Sequence, residues 1–172
     1  MSEYINDRHW ADLFLPQVRM ILGHVILTAA PLDEDRQHAT DLIVLGARNV
    51  RIAVRMRRLR YLEGEDSELG LYRDQFTIRS ERTSGVETDL GKIMMGFGDY
   101  LFYGFADNRG VIAEWFVGDL SVFRGWMFRS LYKGALPGIE RSNTDGATKL
   151  RAFRRDDVDA GNGKPFVVAR RM

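Results

Sequence analysis

The alternating segment at residues 50–58 constrains the fold of this chain more than any other. It reads V-R-I-A-V-R-M-R-R. Successive side chains of a β-strand point to opposite faces, so Ile52, Val54 and Met56 are predicted to enter a core. Arginine side chains at positions 51, 55 and 57 then share the other face of the strand. A cationic sheet face of this kind suits a site that handles a polyanion.

The remaining patterns predict both helices and strands, and therefore an α+β fold with a central mixed β-sheet flanked by helices. Strands are predicted at 41–46, 50–58, 75–80, 100–106, 111–117, 148–154 and 165–170. Helices are predicted at about 7–22, where Pro16 could kink or split the helix, from Thr88 to Gly96 or Gly98, and from an Asp119 cap to about Tyr132. Residues 61–73 are predicted to form a surface loop. We expect the first three strands to form one sheet, with the helices near 7–22 and 88–98 packed on it.

Length and composition favour one ordinary globular domain. The 172 residues predict a single domain at 1–172, with a core at about 7–134 and a C-terminal extension at about 135–172. The absence of cysteine excludes disulfides and thiolate metal sites. No signal peptide and no run long enough to span a bilayer is recognised, so we expect a cytoplasmic protein, in a bacterial or phage-infected cell, without a membrane partner.

Arginine dominates the basic residues, since lysine stands at only four of the 25 basic positions. The guanidinium group favours phosphate and carboxylate contacts and stays charged when partly buried. Arg51, Arg55, Arg57 and Arg79 are therefore the predicted nucleic-acid-binding residues. Two alternatives remain open: an arginine-rich genome explains the overall bias, and a solvated sheet face could pair with nearby acidic side chains.

The predicted order of helix, three strands, helix and strand resembles the PD-(D/E)XK nuclease superfamily. Asp41, which opens the strand D-L-I-V-L, resembles the first acid of that family. The resemblance implies an αβββαβ restriction-endonuclease-like core, here with a β-rich C-terminal extension. It also implies a Mg²⁺ ion held by Asp41 for phosphodiester cleavage.

The chain departs from the family at the second motif. Strand 50–58 carries no acid-x-lysine, and arginine does not deprotonate usefully in its place. Acidic and lysine side chains nearby could substitute, so the predicted catalytic residues are Asp41, Glu81, Glu87 and Lys92, with Asp89 a further candidate. The alternatives are that Asp41 only caps a turn and that Lys92, which lies off the apolar helical stripe, is simply solvated.

Two classes of function follow from these observations. The first is a nuclease-fold protein that acts on or binds nucleic acid, either by metal-dependent cleavage or with catalysis lost. The second is a protein-interaction or assembly module, as a homo-oligomer or with a protein partner, whose interface would use Trp115, Trp126 and Phe128. The segments A-T-D-L, F-T-I-R-S and F-Y-G also resemble phage or prophage proteins. Whether the chain is an enzyme stays open at this point.

Overall fold

The computed structural model describes residues 9–22, 27–29, 40–44, 50–59, 74–142, 148–160 and 163–171. These segments have an α+β fold, as the sequence predicts. The strands are β1 (Leu27–Ala29), β2 (Leu42–Val44), β3 (Val50–Arg58), β4 (Gln75–Arg82), β5 (Tyr100–Ala106), β6 (Ile112–Asp119), β7 (Ile139–Ser142), β8 (Thr148–Arg154) and β9 (Val167–Arg171). The helices are α1 (Leu15–Ile21), α2 (Asp89–Met94), α3 (Leu120–Tyr132) and α4 (Arg155–Asp159).

The strands form two sheets. The first sheet has the order β1-β2-β3-β5-β6-β9 and is mixed, because β3 and β5 run parallel while its other neighbours run antiparallel. The second sheet is antiparallel, with the order β4-β8-β7. Strands from residues 135–172 thus pair with both sheets.

Strand β3 has the predicted two-faced character. Ile52, Val54 and Met56 are only 6–7% exposed and pack in one core with Phe14 and Val18 of the N-terminal helical segment. The opposite face of the first sheet carries a second core, which the second sheet, α2 and α3 cover. The fold therefore has three layers, with the first sheet in the middle.

The prediction that residues 75–80 join the same sheet as 41–46 and 50–58 is wrong. Both edges of β3 already have neighbours: β2 pairs with its first residues, and β5 pairs with it in parallel from Ile52 to Arg58. Strand β4 instead pairs with β8 and lays Phe76 and Ile78 over the face of the first sheet. The aromatic side chain of Phe76 belongs to the core between the sheets, which is why β4 stacks on the first sheet rather than extending it.

Predictions from local sequence signals were more accurate than this prediction of strand pairing. Pro16 lies in the first turn of α1 and separates it from helical residues 9–12, so the predicted helix at 7–22 is split. The Asp119 side chain caps α3 by accepting hydrogen bonds from Ser121 N and Val122 N. The second predicted helix ends before Gly96 and Gly98, whose φ angles are +100° and +76°.

Three short elements were not predicted from the sequence: β1, β7 and α4. Each has five residues or fewer, too few for an apolar period to stand out. The surface loop predicted at 61–73 lies outside the described residues, as do positions 45–46 of the first predicted strand. Among the helices that are described, none has the length and apolar character needed to cross a bilayer.

Candidate nucleic-acid interface

The cationic face of β3 lies against a half-buried cluster of polar side chains between the two sheets, and we call this cluster the notch. Its side chains come from four separate elements of the chain: β3, β4, β5 and α2. The notch residues are Arg55, Arg57, Thr77, Arg79, Asp89 and Tyr103. The arginine face therefore lies beside the second sheet, where it is half-buried, rather than in open solvent.

A hydrogen-bonded network joins the two sheets at one side of the notch. Arg57 donates from Nη2 to Thr77 Oγ1 at 2.6 Å and from Nε to the Tyr103 hydroxyl at 3.3 Å. The Thr77 amide also donates to the Tyr103 hydroxyl at 3.3 Å. Because Thr77 lies on the edge strand of the second sheet, the hydroxyl of Tyr103 takes the place of a missing neighbouring strand. Arg57 is thus held in position by both sheets.

An ion-pair cluster occupies the other side of the notch. The Asp89 carboxylate pairs with the guanidinium group of Arg55, and Arg79 Nη1 lies 4.0 Å from the same Asp89 oxygen. The side chains of Arg55, Arg79 and Asp89 are 31%, 18% and 12% exposed, respectively. Charges at this depth interact more strongly than on an open surface, because less water screens them. Arg55, the most exposed of the three, is the one that a ligand could reach first.

Lys92 is buried, with only 8% of its surface exposed, so the alternative that it is a solvated lysine is wrong. It lies one turn after Asp89 in α2, a helix that begins at a Thr88 cap whose Oγ1 accepts from Gly91 N at 3.2 Å. Because α2 contacts both β4 and α3, side chains off its apolar stripe are covered as well. In the notch, Arg55 and Arg79 pair with the single carboxylate of Asp89, and Arg57 lies on the same face of β3 as Arg55. An excess of positive charge in a half-buried cluster of this kind favours an anionic ligand.

Asp41 makes backbone hydrogen bonds at the edge of β3. Its Oδ2 accepts from Val54 N at 2.5 Å, and its own amide donates to Ile52 O at 3.2 Å. Asp99 does the same on the other edge, where Oδ2 accepts from Arg51 N at 2.8 Å. Each carboxylate thus accepts a backbone hydrogen bond from β3 at the point where a neighbouring strand begins. These contacts favour the interpretation of Asp41 as a capping residue.

Glu81 and Glu87 are exposed and make contacts elsewhere. Glu81 pairs with Lys149 of β8 at 2.9 Å, and Glu140 of β7 lies 3.3 Å from the same ammonium group. The hydrogen bond that Lys149 donates to Glu81 is the largest of the effects that raise the pKa of Lys149 above its ordinary value. Glu87 Oε1 accepts from the adjacent Thr88 amide at 3.2 Å.

Of the predicted site residues, Arg55, Arg57 and Arg79 meet in the notch. Lys92 is buried on α2, and Asp41, Glu81 and Glu87 make contacts outside this set. Thr77 and Tyr103 were not predicted as site residues. Apolar and polar residues alternate along β4, which places Thr77 on the same polar face as Arg79. This alternation was the sequence signal that could have identified Thr77 as a site residue. Nothing in the sequence linked Tyr103 to them, because the contact depends on how the sheets stack.

Within the described segments, no three His, Cys, Asp or Glu side chains lie close enough together to hold a metal ion. We therefore derive no catalytic step through Mg²⁺. No protein-family model matches the chain, and no curated protein matches it either.

Proposed function

We propose that this protein binds nucleic acid, with backbone phosphates entering the notch. The observation that carries the proposal is the convergence of Arg55, Arg57 and Arg79 in one half-buried cluster. The planar guanidinium group presents several donors in a fixed fork that matches phosphate geometry. Arg57 is already oriented by Thr77 and Tyr103, so less side-chain entropy is lost when a phosphate binds.

The charge distribution along the chain supports the same class of ligand. Residues 120–172 contain eleven basic and five acidic residues, although the whole chain has a formal net charge of only +1. Lys133, Lys164 and Arg170 are exposed within this basic part. Uneven charge of this kind attracts polyanions over longer distances than the notch alone could.

Resemblance to the PD-(D/E)XK nucleases motivates an enzymatic form of the proposal, in which Asp41 takes part in metal-dependent cleavage. Two observations favour the non-enzymatic form. Strand β3 carries no acid-x-lysine, and β4 lies in the second sheet instead of beside β2 and β3. Binding without cleavage is therefore the function we favour, and cleavage is tested separately through Asp41.

The test is binding of labelled single- and double-stranded DNA and RNA by Arg55→Gln across a range of salt concentrations. We expect weaker binding, and a slope of log affinity against log salt reduced by about one, because one phosphate contact is lost. Arg129→Gln is the matched control: it removes the same charge from an exposed position on α3, outside the notch. Arg55→Lys, which keeps the charge but not the fork, is expected to fall between wild type and Arg55→Gln.

Equal loss of affinity in Arg55→Gln and Arg129→Gln would mean that general surface charge, rather than the notch, binds the nucleic acid. Absence of binding by the wild-type protein at low salt would refute the proposed function as a whole. Because Arg55→Gln removes the ion pair with Asp89, circular dichroism of each variant is needed to verify that the fold is retained.

A second candidate function, protein association, is favoured by an exposed apolar patch at the C-terminal end of α3. Its members are Phe128, Leu131, Tyr132, Leu136 and Ile139, each 43–94% exposed. Contiguous exposed apolar residues often mark interaction sites. Of the three interface residues predicted from the sequence, Phe128 belongs to this patch, whereas Trp115 stacks on Phe102 and Trp126 packs against Phe123 and Phe153.

Sedimentation velocity over a range of concentrations tests this second candidate. If the patch joins two copies of the chain, Phe128→Ser with Leu131→Ser should shift the protein towards monomer. Val86→Ser, which changes another exposed apolar residue outside the patch, is the matched control. A wild-type protein that stays monomeric at high concentration would exclude self-association through this surface.

A further inference from the structure

A small cavity of about 250 Å³ lies on the opposite side of β3 from the notch, and we call it the Trp10 cavity. Arg58 continues the alternation of Ile52, Val54 and Met56, so its side chain is on the side of β3 that faces the N-terminal helical segment. The lining residues are Trp10, Phe14, Arg58, Asp107, Asn108 and Gly110. Drug-sized ligands usually occupy roughly 300–1,000 Å³, so this space suits a single ring system.

The walls of the Trp10 cavity combine aromatic and cationic surface. The Arg58 guanidinium carbon lies 5.6 Å from the centre of the Trp10 ring, and Phe14 meets the same ring edge-on at 4.9 Å. Nucleic-acid bases stack on aromatic rings, indole among them, and on guanidinium planes. Arg58 can also pair with a phosphate attached to that base.

Hydrogen bonds fix these walls in place. Gln17 of α1 donates to Gly110 O at 2.6 Å and accepts from Ile112 N at 3.0 Å, which joins the helix to the β5–β6 hairpin. Within the hairpin turn, Asp107 Oδ1 accepts from Arg109 N and Val111 N, both at 2.9 Å. A cavity whose two sides are joined in this way needs little rearrangement to bind a ligand.

We propose that the Trp10 cavity binds one unstacked nucleotide, with the base against Trp10 and the phosphate on Arg58. This inference rests on the proposed function and makes it more specific, because stacking requires a single strand or a strand end rather than an intact duplex. The site is separate from the notch, since Arg57 and Arg58 are consecutive residues on opposite faces of β3. A single strand passing the C-terminal end of β3 could therefore place phosphates on one face and a base on the other.

Two measurements test the cavity. The first is quenching of tryptophan fluorescence by thymidine monophosphate in wild type and in Trp10→Phe; we expect quenching in the wild type and its loss in the variant. The second is the affinity for a fluorescein-labelled oligothymidylate, which we expect to fall about tenfold in Trp10→Leu. Phe128→Leu is the matched control, because it changes an aromatic side chain that is 55% exposed outside the cavity.

The outcomes separate this inference from the proposed function. Unchanged oligothymidylate affinity in Trp10→Leu, with weakened binding in Arg55→Gln, would overturn the cavity while the notch stands. Quenching by thymidine monophosphate that persists in Trp10→Phe would also overturn it, because Trp115 or Trp126 would then be the tryptophan quenched. Quenching lost in Trp10→Phe but unchanged in Arg55→Gln would support the cavity even where the notch fails.

Discussion

Asp41 illustrates how one carboxylate can be assigned either a catalytic or a structural role. From the sequence, it stood where the PD-(D/E)XK nucleases carry their first acid. In the fold, its carboxylate accepts the Val54 amide, at a point of β3 that β2 no longer covers. A half-buried amide without an acceptor costs free energy of folding. The hydrogen bond from the Val54 amide is therefore enough to explain an aspartate at position 41.

We predict that Asp41→Ala lowers the free energy of unfolding by about 1–3 kcal/mol, because the Val54 amide loses its acceptor. Asp41→Asn keeps an oxygen at nearly the same place and should cost less than about 1 kcal/mol. Urea denaturation of both variants measures the difference. Equal stability of Asp41→Ala and wild type would contradict the structural role.

Asp41→Asn also tests catalysis, because it removes the charge while keeping most of the hydrogen bonding. Plasmid and single-stranded DNA are incubated with wild type and variant in Mg²⁺ and in Mn²⁺. Cleavage by the wild type that disappears in a stable Asp41→Asn variant would establish the enzymatic form of the function. From the contacts of Asp41, we expect no cleavage by either protein.

Alternation along β3 was enough to predict which arginines share a face, and Arg55 and Arg57 do meet in the notch. It could not reveal what lies opposite that face. Thr77 reaches Arg57 because the second sheet stacks over the first, Asp89 reaches Arg55 from α2, and Tyr103 comes from β5, which pairs with β3 in the same sheet. Contacts between side chains far apart in sequence depend on packing, which local periodicity does not encode.

The sequence predicted the β5–β6 hairpin and its turn at Asp107-Asn108-Arg109-Gly110 from local signals. The turn residues carry local chemistry: Asp107 accepts hydrogen bonds from the backbone, and Gly110 adopts a positive φ of +76°. Short strands such as β7 lack comparable signals. Their existence depends on β8, which supplies the partner for Ile139–Ser142.

Protonation of Asp107 should weaken this hairpin. The hydrogen bond from Val111 N is the largest of the effects that lower the pKa of Asp107 below its ordinary value of 3.8. Because the folded-state pKa is depressed, the stabilisation is present above about pH 3.8 and disappears as the pH falls through the folded-state value. Asp107→Asn should therefore be less stable than wild type at neutral pH.

Thermal unfolding of wild type and Asp107→Asn from neutral to acid pH measures this linkage. The difference in melting temperature should narrow as the pH falls below the ordinary carboxyl pKa. Asp157→Asn, which changes an exposed carboxylate on α4, serves as the control. A difference that stays constant with pH would show that the charge of Asp107 does not stabilise the turn.

The two sheets are held together by an aromatic core centred on Phe76. This side chain is fully buried, and its ring centre lies 5.0 Å from Phe166, 5.7 Å from Phe123 and 5.9 Å from Phe116. These partners come from β6, from α3 and from the residue before β9. The sequence predicted that Phe76 points inward but placed its strand in the wrong sheet, because pairing between distant strands leaves no local pattern.

We predict that Phe76→Ala lowers the free energy of unfolding by about 3–5 kcal/mol, since a large cavity would remain between the sheets. Phe128→Ala removes the same atoms from an exposed position and should change stability by less than about 0.5 kcal/mol. Chemical denaturation monitored by circular dichroism measures both. Similar effects of the two substitutions would mean that the aromatic core does not unite the sheets.

The pairing of β4 with β8 has a consequence for how the chain acquires its structure. Thr77 finds its partner Ala152, and Phe76 its stacking partner Phe166, only after a long intervening segment has been synthesised. Until then, a growing chain on the ribosome holds β4 without a neighbouring strand and exposes Phe76 to water. Topologies with strand pairs between distant segments fold slowly and populate intermediates with exposed apolar surface. We therefore expect newly made chains of this protein to depend on chaperones more than a helical protein of equal length does.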